Sequence, residues 1–244
     1  MKFPQLVLSL ASAALLSTAH AAPTTFFGED LNGPPNQDPN PVASRANADA
    51  ARTSFLSKLS GVGTETFEGH AVGTFPPLAL TFPGAGTATL TGGDGIQSGN
   101  DEYGRYPISG DKYYFAGTNN FNIAFSSAIA AFGFYGVDIG DFGADLVLSL
   151  TDANDVVTKL NVPVSRSANG ELSGSVFYFG FYDTVTQYKN ISFTRSIGEG
   201  DNFAFDDMTI GSLQQINETP EPASLALVAA ALAGVGAATR RRKA

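Results

Sequence analysis

The sequence predicts an all-β domain, a sandwich or a barrel, with one short helix at its N-terminal side. Three observations predict it. From residue 64 onward, short apolar or alternating runs recur between Gly, Asn and Asp, which is how strands separated by turns read. Only residues 47–60 carry helical spacing. Helices and strands do not alternate, so a parallel βαβ sheet is excluded.

The elements follow in chain order. Residues 1–21 form a secretory signal peptide, a substrate for signal peptidase. Lys2 supplies the charged n-region, Leu6 to Leu16 the apolar region, and Ala19, His20 and Ala21 the small-residue cleavage site. Residues 22–46 are expected to be an extended lead-in, rich in Pro, Asn and Gly and mobile over 22–41, with Phe26 and Phe27 as docking points. The domain occupies residues 47–213. In its helix, Asn47 is the expected N-cap, and Ala48, Ala51, Phe55 and Leu59 share one face before Gly61 stops the element. Eleven strands are expected, at 64–68, 78–82, 87–91, 112–115, 121–125, 131–137, 145–150, 156–162, 175–181, 188–194 and 203–210. Asp152 to Asp155 reads as a hairpin turn. Residues 214–219 are a polar linker, also expected to be mobile.

Charge and composition narrow the function. There is no cysteine, so the chain has neither disulfides nor a thiol nucleophile. Five of the 14 Lys and Arg lie in the two ends against one of the 23 acids, so the middle carries nine bases and 22 acids, a net charge of −13. Such a surface repels nucleic acid and anionic lipid. His70 is the sole histidine left once the signal is removed, which provides neither a histidine zinc site nor a placed triad. The domain is therefore expected not to be an enzyme. A carboxylate pair for glycoside hydrolysis is the alternative, because acids are plentiful.

The C-terminus is the most informative stretch. Pro220, Glu221 and Pro222 precede the uncharged residues 223–239, and Arg240, Arg241, Arg242 and Lys243 follow. The 17-residue apolar run makes a helix of about 26 Å, close to a membrane span. The basic cluster would stay in the cytoplasm and leave the domain on the far side, in agreement with the signal peptide. The two prolines hold Glu221 extended, in a form that a protease cleft can bind. This arrangement over residues 220–244 resembles the PEP-CTERM sorting signal of Gram-negative bacteria. The resemblance implies recognition by an exosortase, a passing stay in the inner membrane, and delivery to the cell envelope, outer surface or extracellular matrix in the company of exopolysaccharide.

The middle of the chain is similar to a domain type recurrent in such proteins. The likeness rests on Thr66, Phe67 and Glu68, on the run from Phe132 to Asp141, and on the run from Phe205 to Ile210. It implies a jelly-roll-like β-sandwich with a structural or binding role, or alternatively a carbohydrate-binding module with a structural calcium. In such modules the calcium joins an early-strand Glu to a last-strand Asp. The matching positions here are Glu68 with Asp206 and Asp207, which otherwise face solvent or cap a loop. A second polar group, Asp138, Asp141 and Asp145 around the Gly140–Gly143 turn, suits calcium, a sugar, or a plain turn. The loop from Asn100 to Tyr106 combines aromatic rings with acids and amides, as sugar-binding loops do.

Overall fold

Alternation of apolar and polar residues shapes β-strands such as residues 78–82 and 157–162 in the computed structural model, which describes residues 22–33, 40–117, 120–167, 171–197 and 200–217. The signal peptide, the sorting tripeptide, the 223–239 helix and the basic cluster lie outside the described residues. The order is β1 (Thr24–Asp30), α1 (Ala46–Leu56), β2 (Thr64–Glu65), β3 (Leu78–Phe82), β4 (Gly86–Thr91), β5 (Gly95–Ser98), β6 (Lys112–Gly117), β7 (Asn122–Ile129), β8 (Ala131–Val137), β9 (Leu146–Asp152), β10 (Val157–Val162), β11 (Val176–Tyr182), β12 (Tyr188–Thr194) and β13 (Asn202–Gly211). One sheet runs β1-β11-β8-β13-β6-β5, with β2 also on β13, and the other runs β10-β9-β12-β7-β4-β3. All pairings are antiparallel. The chain is the two-layer all-β sandwich that its strand pattern predicts.

The inner faces meet in a core dominated by phenylalanine. Phe205, from the middle of the first sheet, lies 5.0 Å from Phe134, 5.1 Å from Phe121 and 5.9 Å from Phe193, ring centre to ring centre. Phe121 and Phe193 come from the opposite sheet's side, so these rings join the two layers. Strands β8 and β11 are buried along their whole length. They need two apolar faces because α1 covers the outer one, where Phe55 meets Tyr178 at 6.0 Å. Glycine makes that approach possible. A Cβ on Gly133 would stand 2.3 Å from the Tyr178 hydroxyl and 2.8 Å from Phe55, and one on Gly28 would stand 2.1 Å from the Asn47 carbonyl oxygen.

Three expectations are corrected here. The 22–46 segment is not simply a loose lead-in: Thr24–Asp30 pairs in seven registered positions with β11 as the edge strand of the first sheet. Phe26 and Phe27 do dock, against Phe55 and Phe177. The helix also starts one residue earlier than Asn47 and ends at Leu56. Its N-terminus is capped from outside, because the Asp30 carboxylate accepts the amides of Asn47 (3.2 Å) and Ala48 (2.9 Å). At the other end, the linker from 214 is tied down through Gln215, whose side-chain amide donates to the carbonyls of Gly61 and Pro83.

The cap predicts that Asp30→Ala destabilises the protein by about 1–2 kcal/mol in urea unfolding, with Asp30→Asn losing less. Truncating the shared ring, Phe205→Ala, is expected to cost about 3–5 kcal/mol by the same measurement.

Candidate functional site: the acidic loop end

Strand directions gather four segments at one end of the sandwich. Strand β8 ends where β13 begins, since Val137 pairs with Ala204, and β11 starts there too, since Val176 pairs with Val137. Strand β12 ends beside the start of β9, with Thr194 opposite Val147. The connections 138–145, 163–175 and 195–201 therefore crowd together, and all three cross between the sheets. The 99–111 loop reaches the same end by folding over the outer face of the first sheet, where Ser173 donates to the Tyr103 carbonyl and the Tyr106 hydroxyl to that of Gly174.

Three acids are buried at this end: Asp138, Asp141 and Asp201, at 2%, 3% and 5% exposure. Asp138 adopts a positive φ of 69°, which Asp tolerates better than most residues, and its Oδ1 accepts the Gly174 amide at 2.9 Å. Asp201 accepts the amide of Gly140 at 2.9 Å and that of Asn202. Asp141 interacts with the Asp201 carboxyl, and its own Oδ1 is buried without a hydrogen-bond partner. Arg105 pairs with Asp101 at 2.6 Å and stands 3.9 Å from Asp138. One guanidinium cannot neutralise this many carboxylates. Burial pushes Asp138 up to about 6, and burial with the charges of Asp138 and Asp201 pushes Asp141 up to about 7. Burial raises Asp201 as well.

Asp145, grouped with Asp138 and Asp141 by sequence, stands apart from them. It caps the next loop by accepting the amides of Ser196 and Ile197. Those bonds and the Ser196 hydroxyl outweigh its slight burial and hold it below the usual carboxylate range. Asp201 takes its place in the group, although nothing in its sequence spacing marks it. The rim carries apolar side chains: Tyr103, Phe142 and Ile197 are 60%, 59% and 49% exposed. The Arg105 guanidinium lies 5.1 Å over the Tyr103 ring.

Glu68, Asp206 and Asp207 lie along one loop and are engaged by hydrogen-bond donors. Glu68 Oε1 accepts the amides of Asp111 and Lys112, at the far end of the loop that starts β6. Asp206, fully buried, accepts the amides of Ile108 and Ser109 on Oδ2 and that of Asp207 on Oδ1. Asp207 takes the Ser109 hydroxyl and faces Arg52 at 3.6 Å. Glu68 and Asp206 thus pin neighbouring turns at the C-terminal end of the 99–111 loop against the first sheet. Among the described residues, no group of three or more His, Cys, Asp or Glu side chains is placed to hold a metal ion. Burial, then the Asp207 charge, raises Asp206 to about 8 against the pull of its three amides.

In this chain the β-sandwich precedes the tail that carries Pro220, Glu221 and Pro222. Residues 218–243 match the family model of the PEP-CTERM protein-sorting motif, so the protein is one that carries a PEP-CTERM sorting domain and is exported and sorted through exosortase. No curated protein matches the sequence. Among solved structures, the K2 cleaved adhesin domain of Lys-gingipain is similar over 61% of this chain and 97% of its own length, with 19% identity and a TM-score of 0.37. A likeness of that strength carries no argument about this chain.

The raised acids set a pH dependence. Asp138, Asp141 and Asp206 hold protons in the folded state at pH values where the unfolded chain, with carboxyls near 3.8, has released them. Folding therefore takes up protons between about pH 4 and pH 8, and stability falls as pH rises through that window. In chelated buffer the melting temperature is expected to be higher at pH 5 than at pH 8. A flat or rising profile would show these carboxyls to be ionised throughout.

Proposed function

We propose that the exported domain is a non-enzymatic binding module of the cell envelope or extracellular matrix, turned outward by its tail, with exopolysaccharide as its ligand. The observation that carries this reading is the relation between tail and loops. Strand β13 starts at the acidic loop end and runs ten residues, about 30 Å, before the chain leaves at the other end. There Asn217 donates to the carbonyls of Lys58 and Leu59, which fixes the point where the sorting tail begins. While the tail is held in the inner membrane, and wherever the mature protein is later attached by that end, the loop end faces away.

The loop end offers what a sugar polymer uses: exposed rings at Tyr103 and Phe142, and the polar side chains of the 99–111 loop. A hydrolase reading is less well supported, because Asp138, Asp141 and Asp201 are too deeply buried to reach a glycosidic oxygen.

Two measurements test the proposal. Glu221→Ala should leave uncleaved precursor in the membrane fraction of the host, and normal processing would remove exosortase recognition of that residue. Full-length protein in detergent should bind the host's exopolysaccharide, with Tyr103→Ala and Phe142→Ala each weakening it about tenfold as centrally placed aromatic contacts do. Unchanged binding in both variants would move the contact surface elsewhere.

A further inference from the structure

The two sheets end in the edge strands β1, β5, β10 and β3. An edge strand offers unpaired backbone groups to which another strand can add, unless it is guarded. Three of these edges are guarded. That of β5 is covered by its own chain, since Gly73 donates to the Ile96 carbonyl at 2.9 Å and Ile96 to that of Thr74 at 3.0 Å. Strand β3 is short and closed by Pro76 and Pro77 on one side and Pro83 on the other. Strand β10 holds Lys159 exposed in its middle. The edge of β1 has none of these guards. It stays in continuous register with β11 from Thr24 to Asp30 and contains neither lysine nor proline. Its two acids are turned to their own domain, Glu29 to the Ser165 amide and Asp30 to the start of α1. Beside it lies a groove of about 430 Å³, walled by Thr25–Gly28 and by the small α1 side chains of Asn47, Ala50, Ala51 and Ser54. That wall is neutral throughout, and two copies of so acidic a domain meet at least cost where no charges face each other.

We infer that β1 is a self-association edge: two copies join β1 to β1, antiparallel across a two-fold axis at Phe27, so that their first sheets run on as one. The register is self-complementary over the whole strand. Phe27 meets its counterpart, Phe26 lies opposite Gly28, Thr25 opposite Glu29 and Thr24 opposite Asp30, so each acid faces a threonine and none faces an acid. Asn47 Nδ2 donates to the Glu29 carbonyl at 3.2 Å, but it also donates to Asp30 at 2.8 Å and keeps that bond when the new strand takes the carbonyl over. The axis reverses the second copy. Strand β1 runs toward the loop end, so the loop end of one copy lies beside the exit end of the other, where Asn217 is held. Copies side by side in one membrane cannot pair in this way, whereas copies on facing surfaces can, and the contact is homophilic between surfaces. That last step rests on the attachment proposed above; the pairing itself does not.

Sedimentation equilibrium of the full-length chain in density-matched detergent tests the pairing. At about 100 μM the unsubstituted protein should show twice the chain mass. Thr25→Glu sets a second acid opposite Glu29 on each side of the axis and should weaken the dimer about tenfold, whereas Thr25→Lys sets a base there and should leave it as tight or tighter. Thr25 is exposed at the edge, so both variants should melt with the unsubstituted protein when dilute, which separates loss of the contact from loss of the fold. A monomer at that concentration would overturn the inference. So would a dimer that Thr25→Glu leaves intact, which would place the association in the tail or on another face. Equal weakening by both substitutions would overturn the register.

Discussion

The packing of Phe205, stacked on Phe134 of its own sheet and edge-on to Phe121 and Phe193 of the other, is the contact on which the two layers depend. An exported domain without cysteine has no covalent brace against unfolding outside the cell. It must draw its stability from apolar burial, and phenylalanine supplies the largest area per residue without a polar atom to satisfy. Strand β13 carries this ring on its inner face and Asp206 on its outer face. A single strand therefore fixes the core and pins the 99–111 loop. The loop then carries Arg105 and Tyr103 to the acidic end.

Much of this was legible in the sequence, for a clear reason. Strands at 78–82, 131–137 and 188–194 were expected within the limits they occupy, because their apolar residues either alternate or run continuously between turn residues. Strand β1 was not, since its two adjacent phenylalanines do not alternate and prolines flank it. What identifies it is its partner, β11, some 150 residues away in sequence. Strand β5 is hidden for a related reason. Gly92, Gly93 and Gly95 read as a turn, and they are needed there because backbone crosses so close that a Cβ on Gly92 would stand 1.7 Å from the Asn120 carbonyl oxygen.

The acidic site illustrates the same limit at the level of chemistry. Asp138 and Asp141 are near neighbours flanking a glycine turn, so the sequence brings them together. Asp145 lies close by in sequence, yet just before β9 it accepts the amides of Ser196 and Ile197 instead. Asp201 joins the group only because β12 and β13 bring the chain back to the end of β8. Its one visible mark is its place immediately before the last strand, where an acid can accept the free amides at a strand's start, as it does for Asn202. Glu68 and Asp206, far apart in sequence, both accept amides from the end of the 99–111 loop.

The two ends of β13 also divide the labour of the domain. At the exit, Leu59 bridges to Ile216, Asn217 is held by Lys58 and Leu59, and the Gln215 side chain is anchored to Gly61 and Pro83. Those contacts involve neutral groups whose strength does not change with ions or modest shifts in pH, which suits a point that must bear the tail. At the loop end, by contrast, order depends on how three buried carboxyls are neutralised. A proton on these carboxyls quiets the repulsion, and the loops are tied together by Ser167 to Gly140 and Asp141, Asp138 to Ser175, and Ser173 to Tyr103. The exposed rings of Tyr103 and Phe142 sit on those loops, so their spacing follows from the charge state beneath them. The sandwich core isolates this adjustable end from the anchored one, because close-packed aromatic layers do not deform with small changes at their edge. Adjustment of the contact surface can therefore proceed without loosening the attachment.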